Sequence, residues 1–231
     1  MTVDAVAVCP GTPLLSPQVA ITADGVAAVQ AAAQAAVATL AAAAVDEVVV
    51  IGEAPATGVY EGTWDWHGFG VASRGGRGPA LPRALGVGAW LLDDTWAGPC
   101  RYVGVSPAAA PSECAALGQA LRDDPGTRAL LVIGDGSARR SLKAPGHLDE
   151  RAESFDEQVA AALAAADLSA LRALDPDLAH ELMAAGRASW QVLAAAADGE
   201  QWDAAVLLHE APYGVGWLVA SWRRNISSNF L

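Results

Sequence analysis

Four apolar runs in this chain end in residues that can do chemistry. They are Cys9-Pro10-Gly11-Thr12, Gly52-Glu53-Ala54, Gly134-Asp135-Gly136-Ser137 and His209-Glu210-Ala211-Pro212-Tyr213. In open α/β sheets, ligands bind beyond the carboxyl ends of the strands. If the four runs are strands of one sheet, Cys9, Thr12, Glu53, Asp135, Ser137 and Glu210 share a pocket although they are far apart in sequence. A thiol, two hydroxyls and three carboxylates could serve a metal-independent enzyme or line a binding site. A second group follows the Gly134 run: Arg139, Arg140, Lys143 (the only lysine) and His147. Such a cluster in an acidic protein suits a carboxylate or phosphate. It equally suits a solvated loop paired with Asp149, Glu150 and Glu153.

Metal chemistry is limited by four histidines, His67, His147, His180 and His209. A non-haem Fe(II) site uses two histidines and a carboxylate. His209 and Glu210 are adjacent in a strand and point to opposite faces, so only one can serve a given pocket. The alternative set open to the sequence is His67, His147 and Glu210. The Gly-rich turns lack the spacing of phosphate-binding fingerprints, and Ser137 is not in a nucleophile elbow.

The elements that must position these residues alternate. Strands are expected at 3–8, 46–52, 102–106, 128–136, 204–209 and 214–220, the last two as an antiparallel pair. Helices are expected at 18–44, 83–97, from Ser112 as N-cap to Asp123, at 149–166 and at 175–197, the last opened by Asp175-Pro176. The run Asp46–Gly52 is almost continuously apolar, as in a strand covered on both faces. Residues 53–82 combine Tyr60, Trp64, Trp66, His67 and Phe69 with a Gly/Arg stretch, and read either as a flap over a pocket or as a surface loop. The expected fold is a single α/β domain over residues 1–222, with a mostly parallel central sheet, helices on both faces and a C-terminal antiparallel hairpin. Residues 223–231 are read as a tail.

The chain has 231 residues, a size that buries its own core without disulfide or metal staples. Its net charge of −12 disfavours nucleic acid and anionic lipid as partners. Three scattered cysteines and no basic n-region suggest a cytoplasmic protein without a secretory leader. Val26–Val45 is uncharged over membrane-helix length, but its alanine content and acidic flanks suggest a helix packed closely on a sheet. A small-molecule ligand and a homo-oligomeric state or partner subunit are the expected associations.

Several segments together resemble the class III extradiol ring-cleavage dioxygenases, in their catalytic-subunit form, and the related Memo-like proteins. Pro10-Gly11-Thr12-Pro13-Leu14-Leu15-Ser16-Pro17 is similar to the family's opening P-H-P-P segment. Val49-Val50-Ile51-Gly52-Glu53-Ala54 resembles the strand that ends in a second histidine, and Gly134-Asp135-Gly136-Ser137-Ala138-Arg139 resembles the G-D-x-S-H-R segment. Phe155-Asp156 and Glu210–Trp217 resemble the family's F-D helix start and closing hairpin. The likeness implies the α/β fold over residues 5 to 222. In the family it also implies an Fe(II) site that opens catechol rings. Here the positions of the metal histidines carry Gly11, Ala54 and Ala138, so the expectation is a degenerate site without cofactor.

Overall fold

The computed structural model describes residues 2–21 and 25–225. Seven strands form one sheet in the order β3-β4-β2-β5-β1-β7-β6. The strands are β1 (Thr2–Cys9), β2 (Glu47–Glu53), β3 (Gly58–Tyr60), β4 (Cys100–Val105), β5 (Thr127–Ile133), β6 (Trp202–Glu210) and β7 (Trp217–Arg224). The pairs β4/β2, β2/β5 and β5/β1 are parallel, while β3, β7 and β6 are antiparallel additions at the two sides. The domain is therefore α/β with a parallel centre and a C-terminal antiparallel pair, as expected.

The central strands are buried on both faces because helices cover both. Alternating side chains divide them into two cores. Ala5, Ala7, Cys9, Val48, Val50, Leu131 and Ile133 face α1 (Ala27–Ala41) and α2 (Arg83–Asp93). Val6, Val8, Val49, Ile51, Leu130 and Val132 face the opposite layer. That layer holds α3 (Pro111–Asp123), α4 (Arg151–Ala165), α5 (Leu168–Arg172), α6 (Pro176–Glu181) and α7 (Arg187–Ala196). The helix α1 buries Val29, Ala33, Ala36, Val37 and Leu40 against the sheet, its alanines permitting close approach. Among the described residues no helix is long and apolar enough to cross a membrane.

Three helical expectations need correction. The first helix starts at Ala27, not at residue 18, and Pro13–Leu15 forms a separate 3-10 turn before it. The N-cap of α3 is Ala110 rather than Ser112; Pro111 takes the first helical position, and the Ala110 amide donates to Glu113 Oε2 at 2.7 Å. The expected helix over 175–197 is two helices. Asp175 caps α6 by accepting from the Asp177 and Leu178 amides, but Met183 adopts φ 56° and stops it. The chain then turns through Ala184 and Gly186 into α7. That turn brings the start of α7 to the carboxyl end of β5. Gly134 meets Gly186 there so closely that an added Cβ would lie 2.4 Å from the Gly186 Cα.

Within residues 53–82 the structure has β3, a 3-10 turn at His67–Phe69 and two isolated bridges. Trp64, Trp66, Phe69 and Trp90 pack as one aromatic group, so the segment lies on α2. The expected tail 223–231 begins too early: Arg223 and Arg224 complete β7, where Arg224 pairs with Asp4, and residues 226–231 lie outside the described residues.

Candidate functional site

The parallel strands β1, β2, β4 and β5 all deliver their carboxyl ends to one edge of the sheet. The connections after β1 and β2 lead to one face, and those after β4 and β5 to the other. A crevice opens where they part company. Asp135 ties this edge together. Its Oδ1 accepts from the Gly11 amide at 3.0 Å, and its carbonyl accepts from the Gly186 amide at 2.8 Å. One residue thereby joins the loop after β1, the end of β5 and the start of α7.

Burial pushes the Asp135 carboxyl up to about 6, against the opposing pull of the Arg83 charge and the Gly11 amide; the Glu53 charge adds to the rise. The three side chains thus form one electrostatic cluster. Arg83 is the first residue of α2, after Pro82, and no side chain caps the helix there. No acidic residue occupies that first turn, so the guanidinium sits at the positive end of the helix dipole. Among the described residues it makes no hydrogen bond and no ion pair.

Two adjoining clefts meet at this cluster. One, of about 320 Å³, is lined by Glu53, Arg83, Pro107, His180, Met183 and Arg187 among others. The other, of about 350 Å³, is lined by Glu53, Ala54, Pro82, Arg83, Ser106 and Pro107 among others. Glu53, Arg83 and Pro107 belong to both. Arg187 opens α7 and is only 4 % exposed. Its Nη1 donates to the Ala109 carbonyl at 2.7 Å and to Gln191 Oε1 at 3.1 Å, and its Nη2 to the Pro107 carbonyl at 2.5 Å. These acceptors are neutral, so a buried positive charge stands beside the cleft without a carboxylate partner among the described residues.

Of the six pocket residues expected from the sequence, Glu53 lines both clefts, and Asp135 lies within reach of its charge without lining either. Cys9 lies in the core beneath them, its thiol pushed up to about 12 by burial. Thr12 accepts from the Leu14 amide and caps the 3-10 turn. Ser137 is fully buried; its amide and hydroxyl both donate to Asp156, at 2.7 and 2.8 Å. Glu210 is exposed at the end of the outer strand β6.

The basic cluster after β5 does not converge on one point. Arg139 donates to the Gly146 carbonyl, and Arg140 binds Glu153 and Asp156. Lys143 and His147 are exposed, and His147 Nδ1 accepts from the Leu148 amide. His67 pairs with Asp65. His67, His147 and Glu210 are not assembled: among the described residues no three His, Cys, Asp or Glu side chains stand together so as to hold a metal ion.

Sequence reading missed Arg83 and Arg187; His180 is on a helix surface, as read. Arg83 had a signal, a cation directly after a proline at a helix start. Arg187 had none, because the break in helix 175–197 was itself invisible.

No family model matches the chain, and no curated protein matches it. Among solved structures it is similar to the uncharacterized protein JW3007 from Escherichia coli K12, with a TM-score of 0.52 and 16% identity over 95% of this chain and 99% of that one. At this identity the likeness concerns the fold alone.

Proposed function

We propose that this chain binds a small anionic molecule in the crevice over the carboxyl ends of β2, β4 and β5, as a divergent relative of the class III extradiol dioxygenases. The observation that carries this reading is Arg83, an exposed guanidinium at a helix N-terminus, in the shared wall of two clefts, with no hydrogen bond or ion pair among the described residues. Carboxylates and other oxyanions match its planar fork of donors. Alanine, proline and methionine side chains along the walls suit an apolar body on the same molecule, aliphatic or aromatic.

The residues present do not fit an Fe(II) centre. The positions at which the resemblance places imidazoles carry Gly11, Ala54 and Ala138, none of which offers a ligating atom. This donor set supports a reading of binding, as a stand-alone module or as a non-catalytic subunit. The test is titration of the wild type and of Arg83→Ala with a panel of small carboxylates. Saturable binding that weakens at least about tenfold on losing the guanidinium is expected. Equal binding by both proteins would remove the crevice from the proposal.

A further inference from the structure

Two side chains of opposite charge, Glu53 and Arg83, belong to both clefts. The backbone brings them to one wall. Gly52, near the end of β2, packs on α2 so closely that an added Cβ would lie 2.9 Å from the Ala84 Cβ. Glu53 follows Gly52 on one side of that contact, and Arg83 precedes Ala84 on the other. No ion pair joins them, and among the described residues neither side chain makes a hydrogen bond. We propose that the crevice takes a small zwitterionic amino acid, its carboxylate on Arg83 and its ammonium group on Glu53. This rests on the reading of the crevice as an anion site and adds the second charge that the ligand carries.

The charges that line the clefts favour this class over simpler ones. They are Glu53, Arg83 and Arg187, with the imidazole of His180 in the first cleft. A monocarboxylate on Arg83 brings a second negative charge beside Glu53, and like charges at close range repel. A simple amine on Glu53 meets two guanidiniums. A zwitterion answers both signs at once. The wall it rests on is held in place: Pro107, the third residue common to both clefts, accepts from Arg187 Nη2 through its carbonyl at 2.5 Å, and Arg187 is buried. A wall that is already ordered lowers the cost of binding. Ala54, Pro55 and Pro82 in one cleft, and Ala179, Met183 and Ala184 in the other, give the side chain of the ligand apolar surroundings. Volumes of about 320 and 350 Å³ stand at the small end of ligand pockets, which suits a single amino acid.

The experiment is isothermal titration of the intact chain with butyrate, n-butylamine, 2-aminobutyrate and 4-aminobutyrate, the last two holding the same charges at different separations. Wild type, Glu53→Gln and Arg83→Ala are compared. One of the aminobutyrates should bind at least about tenfold more tightly than butyrate, and more tightly than butylamine by at least the same factor. Glu53→Gln should remove the preference over butyrate, and Arg83→Ala the preference over butylamine. Butyrate bound through Arg83 as tightly as either aminobutyrate overturns the zwitterion and leaves the anion site standing. A preference over butyrate that survives Glu53→Gln places the ammonium group elsewhere and overturns the proposal. Butylamine bound as tightly as the aminobutyrates makes the crevice a cation site and overturns both readings. No binding of any probe removes the anion site and the zwitterion together.

Discussion

The two ends of the parallel sheet hold similar sets of charges and use them differently. At the amino end, Glu47 accepts from Arg101 at 2.6 Å and Arg128 at 2.7 Å, and Asp124 accepts from the same two guanidiniums at 2.9 and 3.0 Å. Each group has a partner of opposite sign, and the arginines hold both carboxyls below the usual carboxylate range. At the carboxyl end, Arg83 makes no hydrogen bond or ion pair among the described residues, Arg187 is buried against neutral acceptors, and burial pushes Asp135 upward. Two arginines and two carboxylates at one end close a network that ties β2, β4 and β5 together. The same inventory at the other end is left open, and an open set of charges in a crevice is available to a ligand.

The largest effect expected from this contrast is on stability at the closed end. Arg128 is 7 % exposed, and Arg128→Leu leaves Glu47 and Asp124 facing each other with Arg101 alone. A loss of about 2–3 kcal/mol is expected in urea denaturation, reduced from the fully buried case because both carboxylates are partly solvated. Arg83→Ala at the open end should change stability by no more than about 0.5 kcal/mol. Comparable losses at the two ends would erase the distinction.

Asp135→Asn gives the next effect, of opposite sign. The carboxyl rises from 3.8 to about 6 on folding, so the native chain holds this proton more tightly than the unfolded one between those values. Its contribution to stability is full below about pH 4, declines as pH rises to about 6, and stays low above that. The substitution removes the ionisation and should stabilise the protein by about 1–2 kcal/mol at pH 7, with the gain vanishing near pH 4. Thermal melts across that range check the sign; a destabilised variant at pH 7 would mean that the carboxylate is structurally satisfied like those at the other end.

Smaller effects sharpen the boundary of the site. Cys9 lies just below the crevice, and its buried thiol should resist iodoacetamide at pH 8 in the native protein while reacting after denaturation. Rapid native alkylation would bring Cys9 into the site. After anaerobic exposure to Fe(II) and desalting, the chain should retain no stoichiometric iron, as measured by elemental analysis. Near one iron per chain would show a donor set that the crevice as described does not supply.

What could be read from the sequence followed from local physics. The continuous apolar runs of β2 and β5 require cover on both faces and have it. Asp175-Pro176 favours a helix start, with a capping carboxylate followed by a preset φ, and it makes one here. Placing Glu53 and Asp135 at one edge of the sheet needed only the rule that parallel strands share a carboxyl edge. Three things stayed hidden because they depend on tertiary contact. Met183 takes a left-handed conformation that nothing in its neighbours announces, and that break turns Arg187 from a mid-helix cation into the first residue of α7 beside the crevice. Ser137 turns inward because Asp156, nineteen positions away, accepts from both its amide and its hydroxyl. Arg139 and Arg140 are taken up by a neighbouring carbonyl and by acidic side chains of α4, which the order of charges along the chain cannot show.

The central claim is that Arg83 is the anchor of an anion site, and the most direct measurement is a butyrate titration followed by amide chemical shifts. In the wild type, saturable shifts should map to Glu53, Arg83, Asp135 and the first turn of α7, and Arg83→Ala should weaken them at least about tenfold while Lys143→Ala leaves them unchanged. Shifts that map to residues 139–147 and respond to Lys143→Ala but not to Arg83→Ala would contradict it, moving the anion site to the basic loop after β5.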